Sequence, residues 1–249
     1  MDFLGNDELQ LYRGKDYQVS KHITIHQPTL GEICDYGEGL YYSMIYQLTA
    51  TPQSMKYQLW TVGIDYTEIT SWNLFYNFIY SLFSPKFTSI LFGDLDFSKF
   101  DLKPNYENKS LYLEQYIDGD RVVIDEYTYI LITDYLRKVH FIEKDEKMPG
   151  NDYAKEVQIM LAKQDYLKNQ QKEFHSQLLN LVSAMINSPG FKYDHTTVWD
   201  MKINAFMDSV RRVSKIQTAN VLLQSGYSGF GINLKDIDKK QIDWLGDLQ

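Results

Sequence analysis

The sequence predicts an α+β fold, in which a mixed region of helices and short strands with a hairpin is followed by a helical C-terminal region. Three observations favour this class. Alternating runs and an Asp118-Gly119 pair occur early, a charged segment with Pro149-Gly150 follows, and apolar residues then recur at helical spacing. We therefore predict a mixed α+β domain at 1–142, a linker at 143–152 and a helical domain at 153–249.

The strands are predicted from alternation and from one turn. The runs "LQLYRG" (9–14) and "HITIH" (22–26) alternate apolar and polar residues, which is typical of short strands. In "LYLEQYIDGDRVVID" (111–125), Asp-Gly is a favoured two-residue turn between β-branched and aromatic residues, so this segment predicts a hairpin. The run "SILFGDLDFSKF" (89–100) is interpreted as a strand and its end.

The helices of the first region are predicted from their start and stop signals. A helical pattern starts at Pro28-Thr29 and runs to Leu48, but Gly37 and Gly39 weaken it, so two shorter helices are an alternative. Three more helices are predicted. The first has Thr51 as its N-cap, Pro52 at its first position and Gly63 as its stop. The second runs from Trp72 to Phe83 and should be buried, because it is apolar nearly all round, and the third, at 126–141, should pack on the hairpin.

Beyond the linker, three apolar stripes predict helices, and the third has a coiled-coil-like spacing. Gly226 and Gly229 should end the third helix, and Asp236 should cap a short terminal helix. The stripes are Tyr153, Val157, Met160, Leu161 and Leu167; Phe174, Leu178, Leu181, Val182 and Met185; and Trp199, Ile203, Phe206, Val210 and Val213.

Composition restricts the classes of partner. The chain carries 25 basic and 33 acidic side chains, a net charge of −8, which disfavours nucleic acid as the main partner. The basic patch of Arg211, Arg212 and Lys215 is interpreted as a solvated helix face. With one cysteine, Cys34, no intramolecular disulfide can form, and we expect a buried thiol in a reducing compartment. No signal peptide or bilayer-spanning stretch is found, so a cytosolic protein without membrane contact is predicted.

Asp94 and Asp96 are the residues most suggestive of chemistry, because two carboxylates after a strand can share Mg²⁺ in phosphoryl transfer. However, Gly93 stands where the nucleophile is expected, and Phe97 and Phe100 fill the space that such a site needs. An EF-hand is excluded as well, because Lys99 occupies the position of its glycine. We expect both aspartates to lie on the polar side of a strand end, and a Mg²⁺-dependent enzyme using them is the weakest alternative.

The remaining candidates favour structural roles. His22 and His26 are too far apart on a strand for easy shared metal ligation, and neither has a third ligand nearby in sequence. The glycine-rich "SGYSGFG" (225–231) follows a helix and lacks the Lys-Ser/Thr of a phosphate loop. The sequence therefore predicts no catalytic residue, no cofactor and no metal ligand.

Four stretches carry a family resemblance. They are "ITIHQPTLGEICDYGEGLYYSM", "TPQSMKYQLWTVGIDYTEI", "TSILFGDLDFSKF" and the segment from "TTVWDMKINAFMDSV" to "KKQIDWLGDL". They resemble proteins encoded in the tail-gene region of long-tailed phages of Gram-positive hosts, most of all a tail assembly chaperone. The resemblance implies a non-enzymatic protein of the host cytoplasm that coats the tape-measure protein, or another tail protein, and is absent from the finished virion.

At 249 residues the chain is long for a chaperone of this kind, so a structural virion component, either a connector or a capsid-associated protein, is the alternative. A chaperone of a helical client needs amphipathic helices with an apolar face to offer. The competing interpretation is that the stripes pack on one another as a bundle. A homo-oligomer is compatible with either. The predicted partner-binding residues are Phe174, Leu178, Leu181, Met185, Trp199, Phe206 and Val210.

Overall fold

The computed structural model describes residues 8–106, 109–228, 231, 233 and 237–248. With 55% helix, 10% strand and small antiparallel sheets before a helical C-terminal region, the protein has the predicted α+β fold. The helices are α1 (Glu8–Tyr12), α2 (Leu30–Tyr36), α3 (Glu38–Leu48), α4 (Lys56–Thr61), α5 (Ser71–Leu74), α6 (Pro85–Phe92), α7 (Glu126–His140), α8 (Asp152–Gln170), α9 (Gln177–Ile186), α10 (Ile203–Tyr227) and α11 (Lys239–Ile242). The strands are β1 (Tyr17–Gln18), β2 (Thr24–Ile25), β3 (Asp101–Asn105), β4 (Ser110–Ile117) and β5 (Asp120–Ile124).

The predicted hairpin is confirmed. Strands β4 and β5 pair antiparallel around Asp118 and Gly119, whose φ angles of 51° and 86° have the positive sign that a type I′ turn requires. Leu113 and Ile124 lie opposite each other and are fully buried. Strand β3 adds a third antiparallel strand beside β4, which the sequence did not indicate. Helix α7 follows the sheet as predicted.

The break between α2 and α3 is also confirmed. Gly37 separates the two helices with a φ of 105°, a conformation that residues with a Cβ rarely adopt. At the start of α2, the Thr29 hydroxyl accepts the N–H of Glu32, and the Glu32 carboxylate accepts the N–H of Thr29. This reciprocal capping box fixes the helix at the residue that the sequence indicated.

Two predicted strands are wrong. Residues 9–14 lie in α1 and the turn after it, and their alternation does not mark a buried strand face, because Leu9 is 82% exposed while Leu11 packs on the core. Ser89 to Phe92 form the end of α6, which begins with Pro85 at its first position after Ser84. Thr88, Leu91 and Phe92 face the core at helical spacing.

Two predicted helices need smaller corrections. The helix expected from Pro52 begins at Lys56, because the Thr51 hydroxyl caps a preceding turn by accepting the Ser54 N–H. The segment expected as one buried helix at 72–83 is α5 continued by a π-helix (Phe75–Ile79) and a 3-10 turn (Tyr80–Leu82). Its Phe78 and Leu82 side chains are exposed, so burial is confined to one side.

The C-terminal region packs onto the N-terminal one. Leu30 donates its N–H to the Met201 carbonyl at 2.9 Å, and the Pro28 carbonyl accepts the Ile203 N–H at 3.0 Å, so the two segments meet in a short antiparallel bridge. One hydrophobic cluster contains buried residues from both regions. The segment at 143–150 has no helix or strand, and the division into domains remains a prediction. The predicted cap Asp236 and stop Gly229 lie outside the described residues; α10 runs through Gly226, and Asp238 caps α11.

Helix α7 carries two buried polar contacts. Arg137 donates to the Thr49 carbonyl at the end of α3 at 2.8 Å. His140 Nδ1 donates to the Leu136 carbonyl at 2.7 Å, so its Nε2 accepts from the Tyr41 hydroxyl at 2.6 Å. Burial lowers the pKa of His140 to about 4, although the bond to Leu136 acts in the opposite direction.

Candidate partner-binding surface

The structure divides the seven predicted partner-binding residues by burial. Leu178 and Met185 of α9 and Phe206 of α10 are buried in the core. Leu181 and Val210 are half-buried and pack against that core. Phe174 and Trp199 remain accessible, at 68% and 37% exposure. In this conformation most of the set therefore contributes to self-packing, which is the competing interpretation of these two stripes.

Helix α8 differs from the other long helices of the C-terminal region. Its inner face contacts the body through Ile159, which packs against the core, and through polar groups: the Tyr66 hydroxyl donates to Gln158 Oε1 at 3.0 Å, and Lys155 forms an ion pair with Asp65. The rings of Tyr57 and Tyr166 pack with their centroids 5.3 Å apart. Every residue of α8 is described, and none of them is buried.

The opposite face of α8 is apolar apart from Gln164, and within the described part of the chain most of its side chains are exposed. At about 100° of rotation per residue, Tyr153, Val157, Met160 and Leu167 fall on the side of the helix away from Lys155 and Gln158. Tyr153 is 77%, Met160 52% and Leu167 44% exposed. Leu161, 51% exposed, lies at the edge of this face. Together Tyr153, Val157, Met160, Leu161 and Leu167 form a surface that we call the outer stripe.

The periodicity of the sequence predicts this stripe, but the predicted partner-binding residues lie on the other two stripes. The periodicity of α8, α9 and α10 is similar, so it cannot tell which stripe finds a partner inside the protein. The charges distinguish the helices, because α9 has no charged residue, whereas α8 carries Asp152, Lys155, Glu156, Lys163, Asp165 and Lys168. A helix with so many charged side chains has only a narrow apolar face, which is typical of a surface helix.

The N-terminus of α9 is fixed by another helix. The carboxylate of Glu38, in the first turn of α3, accepts the N–H groups of Gln177 and Leu178 at 2.9 and 3.0 Å and the Ser176 hydroxyl at 2.5 Å. Just before α9, the Phe174 ring lies against Gly39, where a Cβ would come within 3.2 Å of it. The end of the segment that follows α8 is therefore tied to α3.

Asp94 and Asp96 do not follow a strand, because the segment before them is helical. Asp96 accepts the N–H and the hydroxyl of Ser98 at 3.0 and 2.6 Å and so caps the 3-10 turn Phe97–Lys99. The Ser98 hydroxyl is the main cause of a lowered Asp96 pKa. Leu95, Phe97 and Phe100 are buried. The aspartates mark the polar side of a chain segment that is pinned to the core.

The other ionisable candidates have separate partners. His22 contacts Asp120 at 2.6 Å, whereas His26 lies between Asp16 and Glu32 at 2.8 and 3.1 Å. Among the residues that the structure describes, no group of three or more His, Cys, Asp or Glu side chains is placed to hold a metal ion. Cys34 is exposed rather than buried, because it lies on the outer side of α2, next to the buried Ile33.

The basic patch on α10 is used inside the protein. The Arg211 guanidinium lies 4.7 Å from the centre of the Phe141 ring. Arg212 donates to the carbonyls of Trp244 and Gly246 at 2.7 and 2.8 Å, and Lys215 also donates to the Gly246 carbonyl. These cations hold the segment after α11 against α10.

Within the described ranges, none of the helices combines the length and the apolar character needed to cross a membrane. Comparison of the chain with models of protein families, with curated proteins and with solved structures finds no match.

Proposed function

We propose that the protein is a non-enzymatic tail assembly chaperone of the host cytoplasm, which holds a helical segment of a phage tape-measure protein, or of another tail protein, on the outer stripe of α8. The observation that carries the proposal is the apolar face of a helix whose opposite face is anchored to the body. Contiguous exposed apolar surface is typical of a binding site. The resemblance to phage tail-region proteins supplies the class of client.

The spacing of the outer stripe supports a helical client. Side chains at i, i+4, i+7 and i+14, as in Tyr153, Val157, Met160 and Leu167, cover one side of about four helical turns. An amphipathic helix recognises another through such anchors, and contact between the two helices excludes water from these side chains. The polar contacts of Lys155 and Gln158 help to hold α8 on the body and leave the outer stripe accessible to a client.

The test is a binding titration with a purified tape-measure helix. The double variant Met160→Asp, Leu167→Asp should raise the Kd at least tenfold, since each charge would be buried without a partner. Its Tm should match the parent, because both side chains are about half exposed. Val221→Asp, on an exposed site of α10, is the matched control and should bind normally. Equal affinity of all three proteins would refute the proposal.

A structural virion component, a connector or a capsid-associated protein, is the second candidate, because the same face can join neighbouring subunits permanently. Mass spectrometry of purified particles and of infected-cell lysate separates the two. Abundance in the lysate with absence from particles supports the chaperone. A fixed copy number in each particle supports the structural component instead.

A further inference from the structure

We propose that, without a client, two copies of the chain cover each other's outer stripe by pairing their α8 helices antiparallel about a two-fold axis. The inference rests on the proposed function, because it takes the outer stripe as the client site and assigns it a second occupant. The client would then compete with the second copy, and the apolar face would not be left exposed to water in the free protein.

The spacing along α8 fits pairing with another helix. Tyr153, Val157, Met160, Gln164 and Leu167 follow one another at intervals of four, three, four and three residues. This is the heptad repeat of a coiled-coil seam, with Val157 and Gln164 at a positions and Tyr153, Met160 and Leu167 at d positions. The seam is about 21 Å long, from 14 residue steps of about 1.5 Å.

Charges beside the seam select the second copy and its direction. Glu156 and Lys163 stand at successive g positions, and Lys168 stands at an e position. In a parallel pair, a g residue faces the e residue of the next heptad, so Lys163 would face Lys168 of the second copy. In an antiparallel pair, g faces g, so Glu156 faces Lys163 of the second copy, and symmetry repeats this pair.

The charges are also available for such pairing. In the described part of the chain, Glu156, Lys163 and Lys168 form no ion pair. A like-charge contact opposes the parallel arrangement, while two opposite-charge contacts favour the antiparallel one. Charge therefore distinguishes the antiparallel pair from the parallel one.

In the antiparallel pair, Gln164, the polar residue of the seam, also finds a partner. When Val157 of one copy faces Met160 of the other, Tyr153 faces Gln164. The phenol hydroxyl and the amide can hydrogen-bond, so Gln164 need not be buried without a partner. The four contact layers in this register run from Tyr153 to Gln164 in each copy, about 16 Å from 11 residue steps of about 1.5 Å. They form a small interface, which is typical of weak and exchangeable complexes. A client helix can therefore displace the second copy.

Sedimentation equilibrium of the full-length, client-free protein tests the pairing. The parent should dimerise reversibly. Glu156→Lys and Lys163→Glu should each weaken the dimer at least tenfold, because each brings like charges together. The double variant Glu156→Lys, Lys163→Glu should restore parental dimerisation, which a merely unfolded or damaged α8 would not do. A monomeric parent, or single variants with unchanged dimerisation, would overturn the inference.

Direction is tested by disulfide trapping in a Cys34→Ser background. Tyr153→Cys and Gln164→Cys proteins should crosslink when mixed but not when each is oxidised alone. Crosslinking of each alone, without mixed product, would show the parallel pair and overturn the antiparallel arrangement. Titration with the tape-measure helix distinguishes the failure of the two proposals. If the parent is monomeric but binds the helix, only the pairing is refuted. If the parent is a dimer that does not bind the helix, only the chaperone function is refuted.

Discussion

The backbone N–H of Leu178 donates to the carboxylate of Glu38, 140 residues earlier in the chain, at 3.0 Å. Glu38 also accepts the Gln177 N–H and lies in the first turn of its own helix. One carboxylate therefore stands at the N-termini of both α3 and α9, where two helix dipoles favour a negative charge. The start of α9 is positioned by α3 as well as by its own cap, Ser176.

We expect Glu38→Ala to lower the free energy of unfolding by about 1–2 kcal/mol, because the substitution removes a cap from α9. Glu38→Gln keeps one amide oxygen as acceptor and should lower the free energy of unfolding by less. Urea titration followed by circular dichroism measures both. Glu143→Ala, which removes an exposed carboxylate elsewhere, is the control and should leave the midpoint unchanged. A Glu38→Ala midpoint equal to that of the control would contradict the capping role.

Protonation of His140 should make stability pH-dependent. Its pKa is about 4 in the folded protein against an ordinary value of 6.5, so the unfolded chain binds the proton more readily between these values. The stabilisation is complete above about pH 6.5 and is lost as the pH falls towards 4, a difference of about 3 kcal/mol. His140→Gln should remove this part of the pH profile. Tyr41→Phe keeps the titrating ring and should retain it; equal slopes for His140→Gln and the parent would exclude His140 as the cause.

The Lys155–Asp65 ion pair should govern how firmly α8 is held. The hydrogen bond from Lys155, followed by those from Thr67, lowers the Asp65 pKa to about 2 from 3.8. The contact is therefore complete above about pH 3.8 and is lost as the pH falls towards 2. We expect Asp65→Asn to speed amide hydrogen exchange in α8 but not in α9. The cost in global stability should stay below about 1 kcal/mol, since the pair is partly exposed.

Substitutions of Asp94 and Asp96 should differ in their effect on the stability of the protein, and neither should affect an enzymatic activity. Asp96→Ala removes a cap and should cost about 1 kcal/mol, whereas Asp94→Ala should fall within about 0.5 kcal/mol of the parent. Thermal unfolding compares the two. For the Mg²⁺-dependent alternative, turnover of a phosphate ester is measured for the parent and Asp94→Asn. If the parent turns over the ester and Asp94→Asn does not, the Mg²⁺-dependent enzyme is established. Equal turnover by the two proteins would exclude it.

Local signals in the sequence predicted those elements whose cause is local. Gly37 breaks a helix through its own backbone freedom, and Asp118-Gly119 makes a hairpin turn with two neighbouring residues. The strand predicted at 89–92 is wrong because a short apolar run fits either a strand or a helix. The Ser84-Pro85 pair would have indicated the helix, since Pro is favoured at the first helical position.

The candidate surface could be predicted only in part. Periodicity alone predicts that Tyr153, Met160 and Leu167 share one face of a helix. Which helical face remains without cover depends on tertiary contacts, such as those of Leu178 and Phe206 with the core, and no local pattern contains them. The separation of the inner and outer faces of α8 likewise required its polar contacts with the body.

The bridge between residues 28–30 and 201–203 has a consequence for synthesis on the ribosome. The carbonyl of Pro28 and the N–H of Leu30 find their partners only in residues that are translated more than 170 positions later. At 5–20 residues per second this takes roughly 9–35 s. For that time the start of α2 lacks its neighbour in the nascent chain, so the N-terminal region completes its hydrogen bonding only after Ile203 has left the exit tunnel.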